Sequence, residues 1–263
     1  KLSAENPFGY TPKGLAFELL KQYGSGGAHL DYGTYNGAFV KALGEANVVR
    51  SAIGVDVNTE VVKQHQAAMP PAVRLEVIQK NAPLRFAPAE FDSISILGVI
   101  EHVKEQERLL AQLVRALRPG GLMIIAVPGQ HAFSWLDMGN FKFRFPRTHR
   151  RVYTWMHSEE EYRHRYIECR NGLFGDIEVE KMWHEHFSVE SMRQLLERVQ
   201  LRIEHVDGQG FFQRILVNMA YFLGGQNGLM KPLIKLDSRC FSQCELVFVA
   251  RKREECGPEQ RSS

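Results

Sequence analysis

Two short runs carry the side chains best suited to moving a proton near neutral pH: Glu101-His102 and Trp183-His184-Glu185-His186. An imidazole titrates in that range, so His102, His184 and His186 are the candidates for a general base. Other groups are suited to binding. Asp31 closes the run Ala28-His29-Leu30 and is followed by Gly33, Thr34 and Gly37, while Asp56 closes Ser51-Ala52-Ile53-Gly54-Val55 and is followed by Val57. Glycines four apart between a strand and a helix allow backbone angles closed to other residues and leave room for a ligand against the main chain; the new helix adds unpaired N–H groups. An acid about 20 residues further on is placed to meet ribose hydroxyls. Together these residues read as a nucleotide-binding turn.

The elements that must hold these groups follow from hydrophobic periodicity. A leading amphipathic segment, Leu15 to Leu20, precedes Gly24-Ser25-Gly26-Gly27 and the first strand, and is expected to cover a ligand or to pack on the sheet. After Asp56 the pattern predicts a helix over 59–68 with Asn58 or Thr59 as cap, then strands at 74–77 and 91–97. A helix over 105–117 carries apolar residues at 109, 110, 113, 114 and 117 and is broken by Pro119-Gly120-Gly121. Strands follow at 122–127, 201–206 and 245–250, with a Ser188-capped helix at 189–198. Strands alternating with helices of this length predict an α/β fold, a doubly wound, mainly parallel sheet of seven strands whose ligand lies beyond the strands' carboxyl ends.

In that frame the chain resembles the class I S-adenosylmethionine-dependent methyltransferases. The likeness starts at Asp31-Tyr32-Gly33 and Asp56 and continues through Lys80-Asn81-Ala82-Pro83-Leu84-Arg85-Phe86, Glu90-Phe91-Asp92-Ser93-Ile94, Val99-Ile100-Glu101-His102-Val103 and Leu117-Arg118-Pro119-Gly120-Gly121-Leu122. The resemblance implies a Rossmann-like methyltransferase fold that binds S-adenosylmethionine and releases S-adenosylhomocysteine. It sets Asp31, Gly33, Thr34 and Gly37 against the methionine part, Asp56 and Val57 at the ribose, Asn81 and Ala82 beside the adenine, and Leu97 and Gly98 along the cofactor. Two positions depart from the family: Tyr35 replaces a frequent glycine, and Asn81 replaces a frequent aspartate whose adenine hydrogen bond an amide oxygen can still accept.

Residues 128–186 interrupt the alternation for longer than a connecting loop. They are rich in aromatics, and between Lys142 and Arg151 they hold five bases and no acid. The expected organisation is a cofactor-binding core of residues 1–127 and 187–251, a substrate cap at 128–186 and a flexible tail at 252–263. In the cap Arg144, Arg147 and Tyr153 are the expected acceptor contacts, since arginines pair with phosphate or carboxylate and aromatic faces stack on sugars or bases. The competing reading leaves the cap's arginines paired with Glu159, Glu160 and Glu161. A second apolar insert, Phe211 to Phe241, suits packing beneath the cap, with peripheral membrane contact or a partner subunit as the other options.

A net charge of +3 is too small to argue for nucleic acid by itself. Four cysteines show no C-x-x-C pair or metal-finger spacing, no signal peptide is legible, and no apolar run approaches the ~20 residues of a membrane span. A cytoplasmic protein with reduced thiols is therefore expected, its oligomeric state open. By resemblance to glycan and natural-product methyltransferases, the expected acceptor is a small molecule, above all a sugar hydroxyl. One rival is an RNA 2′-O-methyltransferase, in which Glu101, His102 and His186 would hold a divalent metal; Gly98 stands where that pattern has its first glutamate, so no metal is expected. The other is a non-catalytic scaffold that keeps the fold.

Overall fold

The protein is described by a computed structural model over residues 3–9, 11–79, 82–131, 144–167, 185–210 and 244–254, with single positions 212, 216, 232, 233, 236, 237 and 241. Helix α1 (Pro12–Tyr23) opens the chain with Pro12 in its first turn and the Thr11 hydroxyl accepting from the Gly14 N–H, a cap that satisfies one free donor. Strand β1 (Ala28–Tyr32) leads into α2 (Ala38–Glu45), and β2 (Ser51–Asp56) into α3 (Thr59–Gln66), which Asn58 caps through Val61 N. Then come β3 (Val73–Val77), β4 (Phe91–Leu97), a 3-10 turn at Ile100–His102, α4 (Gln106–Ala116) and β5 (Leu117–Pro128). Helices α5 (Pro146–Met156) and α6 (Glu159–Tyr162) lie in the predicted cap. Helix α7 (Val189–Arg198), closed by a reciprocal Ser188 and Ser191 capping box, leads to β6 (Leu201–Gln209), and β7 (Glu245–Lys252) completes the sheet.

The seven strands run in the order β3-β2-β1-β4-β5-β7-β6, with β7 antiparallel to both its neighbours and the pairs from β3 to β5 parallel. This is the predicted doubly wound, mainly parallel sheet. Because the chain winds outward from β1 to β3 and returns to β4, the order reverses between β1 and β4, where α/β sheets open a crevice for ligands. Strand β5 starts earlier than its apolar run: Leu117 pairs with Phe91 before the register shifts toward the Ser93–Leu122 pair. The helix therefore ends at Ala116, ahead of Pro119-Gly120-Gly121, and that stretch lies inside the strand.

Helices cover both faces. Leu109, Leu110 and Leu113 of α4 and Met192 and Leu196 of α7 pack on Leu30, Ile94, Ile96, Met123 and Ile125. On the other face Phe17 and Leu20 of α1 and Phe39 and Leu43 of α2 pack with Ile124, Ala126, Val247 and Val249. Each fully buried leucine or phenylalanine contributes about 1.5–3 kcal/mol, so the paired layers hold the strand ends rigidly.

Candidate active site

At the point of reversal the β1 and β4 loops press together. A Cβ built on Gly33, whose φ is +79°, would lie 2.3 Å from Val99 Cγ2. Only glycine fits there, in angle and in space. The amides of Gly33 and Thr34 both donate to Val55 O, at 2.9 and 3.0 Å, which ties the turn to the end of β2. Gly37, at φ +71°, caps α2 with its backbone alone. Tyr35 stands in the left-handed region, φ +56°, where glycine, the residue the resemblance expects here, is favoured, so the turn carries some strain.

The two acids stand on neighbouring strands close enough for each to feel the other's charge. Asp31 is buried; burial pushes its carboxyl above the ordinary range and Asp56 adds to the rise, while the hydrogen bond from Ser95, the nearby Thr34 hydroxyl and the charge of Lys13 on α1 oppose it. Asp56 is half-buried and held by two amides, Tyr35 N to Oδ2 at 2.7 Å and Asn58 N to Oδ1 at 2.9 Å. Two such bonds fix the plane of a carboxylate and leave lone pairs on each oxygen. Val57 and Leu97 are half-buried at the ends of β2 and β4, Thr34 is buried, and Gly98, exposed at φ +70°, turns the chain after β4. Ala82 is half-buried with its amide on Gln79 O, whereas Asn81 lies outside the described residues.

The histidine half assembles beside the ends of β4 and β5. Glu101 and His102 are buried in the 3-10 turn, with His102 Nε2 3.9 Å from Glu101 Oε1. Gln106, at the start of α4, donates to Ile100 O at 3.1 Å and to Glu185 Oε2 at 2.7 Å, tying the turn to the segment that leads into α7. That segment pairs with the end of β5: Phe187 N donates to Pro128 O and Gln130 N to Phe187 O. The pairing sets His186 edge-on to His131, ring centroids 6.4 Å apart. His184 lies outside the described residues. Among the described residues no group of three or more His, Cys, Asp or Glu side chains is placed to hold a metal ion.

In the segment expected to form the cap, Arg144 and Arg147 are exposed, whereas the Tyr153 hydroxyl donates to Glu161 Oε1 at 3.0 Å and its ring stacks on His157. Arg150 pairs with Glu159 and lies over the Tyr162 ring. The acids that follow the basic run thus take one of its arginines and Tyr153, and leave Arg147 projecting from α5.

His131 and Gln106 escape sequence reading because neither stands in a motif; both matter only through the pairing of 128–130 with 187. A third omission, His29, had a visible signal. Central parallel strands read as nearly unbroken apolar runs, yet polar residues stand at alternate positions 29 and 31 of β1 and 93 and 95 of β4.

A reversed α/β sheet with this glycine turn and paired acids is the class I S-adenosylmethionine-dependent methyltransferase architecture. The family model described as a methyltransferase domain matches residues 9–206, and the chain belongs to that family. Over 90 residues it is 32% identical to a probable S-adenosylmethionine-dependent methyltransferase of Mycolicibacterium smegmatis, and 34% identical to one of Mycobacterium tuberculosis. These matches take 34% of this chain and span about a third of the relatives' own length, 34% and 32%. Among solved structures, a methyltransferase of Mesorhizobium loti superposes with a TM-score of 0.55 at 16% identity, covering 92% of this chain and 99% of that one. A Haloferax volcanii methyltransferase complexed with the activator Trm112 gives 0.57 at 15% identity, covering 90% and 88%, and the cyclase SpnF gives 0.56 at 14%, covering 92% and 81%. At these identities the likeness is one of fold.

Proposed function

We propose that the protein is an S-adenosylmethionine-dependent methyltransferase that methylates a hydroxyl of a polar small molecule, most specifically a sugar unit in glycan or natural-product assembly. The observation that carries the cofactor assignment is the pairing of Asp31 and Asp56 across a turn in which a side chain on Gly33 would collide with Val99. In this reading Asp56 and Asp31 are the crevice's acceptors for a nucleoside and an ammonium. Asp56, aimed by the Tyr35 and Asn58 amides, accepts from the ribose diol. Asp31 and the backbone of residues 33 and 34 hold the methionine part, and Ala82 borders the adenine.

When bound, the cofactor supplies an electrophilic methyl group on a sulfonium. The chain must then orient an acceptor in line, exclude water and remove a proton if the acceptor is a hydroxyl. His186 would take that proton, with His131 against its ring and Glu185 anchored through Gln106, while the bound cofactor would supply the methyl group and leave as the thioether. His102, buried behind the same strand ends, supports the cofactor side, and His184 belongs to the same returning segment. Arg144 and Arg147 recognise an anionic group on the acceptor, such as the phosphate of a nucleotide-linked sugar.

Calorimetry tests the first step: S-adenosylmethionine and S-adenosylhomocysteine bind at micromolar to millimolar concentration. No heat at millimolar ligand defeats the assignment and favours a scaffold. Transfer of labelled methyl groups to a panel of sugar nucleotides, glycans and short RNAs, with and without chelator, tests the second. Label in RNA that disappears on chelation overturns the sugar reading in favour of a metal-assisted 2′-O-methyltransferase.

A further inference from the structure

A line of polar side chains crosses the buried middle of the sheet toward Asp31. His29 is fully buried in β1, beneath the edge of Phe39 from α2. Its Nδ1 lies 2.8 Å from Ser93 Oγ and its Nε2 2.9 Å from Ser95 Oγ, both serines buried in β4. Ser95 Oγ in turn lies 2.5 Å from Asp31 Oδ1. The register explains the geometry: β1 and β4 are parallel, His29 stands opposite Ser93 and Asp31 opposite Ser95, so all four side chains share one face of the sheet. Buried polar groups cost free energy unless each finds a partner, and here every contact connects one member to the next.

The direction of the chain follows from donor counting. In the complex, where the cofactor's ammonium would favour the Asp31 carboxylate, Asp31 can only accept, so the single Ser95 proton points at it; 2.5 Å is within the range of a charge-assisted O–H···O⁻ bond. Ser95 must then accept from His29, which places the ring proton on Nε2. Burial holds the His29 pKa down at about 3, so the ring is neutral and its bare Nδ1 accepts from the Ser93 hydroxyl. Every bond is satisfied in one order: Ser93 to His29, His29 to Ser95, Ser95 to Asp31. The other groups acting on Asp31 are Lys13 from α1, Thr34 from the turn and Asp56 from β2.

We infer that Ser93, His29 and Ser95 form a directional hydrogen-bond relay that holds the Asp31 carboxylate in place for the ammonium group of the bound cofactor, which makes His29 and Ser95 positioning residues. The inference rests on the reading that this crevice binds S-adenosylmethionine. It predicts selectivity inside that ligand: the relay acts on the amino-acid end and leaves the nucleoside end untouched.

The test compares two ligands on the intact protein. S-Adenosylhomocysteine carries the amino acid, whereas 5′-methylthioadenosine is the same nucleoside thioether without it. In Ser95→Ala the dissociation constant for S-adenosylhomocysteine rises about tenfold, the scale of one lost hydrogen bond to a charged group, while that for 5′-methylthioadenosine changes less than about twofold. His29→Leu shifts the first constant in the same direction and spares the second. Retained 5′-methylthioadenosine binding shows that each variant is folded. Equal losses for both ligands, or none, overturn the relay while leaving the cofactor assignment standing; wild-type protein that binds neither ligand removes both. A second readout is the ring itself: in the S-adenosylhomocysteine complex, nitrogen-15 shifts place the His29 proton on Nε2, and a proton on Nδ1 overturns the proposed direction.

Discussion

The two halves of the crevice are built by different means. On the proposed cofactor side the parts are backbone and sheet-fixed acids: a turn tied to Val55, a glycine pressed on Val99, and carboxylates at the ends of β1 and β2. On the proposed acceptor side the parts are side chains that meet when the chain returns to β5, as His186 meets His131. A backbone cradle tolerates few substitutions and recurs with the fold; a side-chain cap can be rebuilt for each acceptor. The cyclase SpnF, with the same fold at 14% identity, shows that the architecture alone does not specify the chemistry.

The largest expected effect falls on the acceptor side. If His186 removes the acceptor proton, His186→Ala lowers kcat by about 10²–10⁴-fold and leaves the S-adenosylhomocysteine dissociation constant unchanged. A parallel loss of cofactor affinity, read by calorimetry, would erase the distinction between the halves. Gly33→Ala should do the reverse. Its methyl group meets Val99 in a left-handed backbone, so it costs about 2–4 kcal/mol of stability in urea melts together with most cofactor affinity. Asp56→Ala comes next: cofactor binding weakens by about 1–3 kcal/mol, with further slackening of the turn because Tyr35 and Asn58 lose their acceptor. An unchanged dissociation constant would remove Asp56 from the ribose.

The same contrast explains what was legible in the residues. Gly33, Gly37 and Asp56 announce themselves because their roles are local: a backbone angle, a close approach, a strand end. The seven strands and the helix faces were likewise readable from apolar spacing, and the caps at Asn58 and Ser188 from side-chain chemistry. That β7 inserts antiparallel between β5 and β6 was not, because no local pattern reports which neighbour a strand will choose. Nor was the partner of Tyr153: its hydroxyl serves Glu161 because α5 and α6 pack together, a contact that aromatic composition alone cannot distinguish from an acceptor site.

His29 offers the finest test of the claim that the cofactor side is a fixed, buried framework. In the unfolded chain this histidine titrates near its ordinary pKa of about 6.5, whereas in the fold burial holds it at about 3. Between those values the unfolded state binds the extra proton, so His29 makes the protein less stable as pH falls through this window, by up to about 1.4 kcal/mol per pH unit. Asp31, raised by burial, has the opposite sign: the folded state takes up its proton first, so acid favours the fold through this group, in wild type and variant alike. The difference between wild type and His29→Leu therefore isolates the histidine. Chemical denaturation at intervals from pH 7 to pH 4 should show the wild type losing stability relative to the variant as the solution is acidified. Parallel curves would mean that water reaches the ring and that the centre of the sheet is less sealed than its packing indicates.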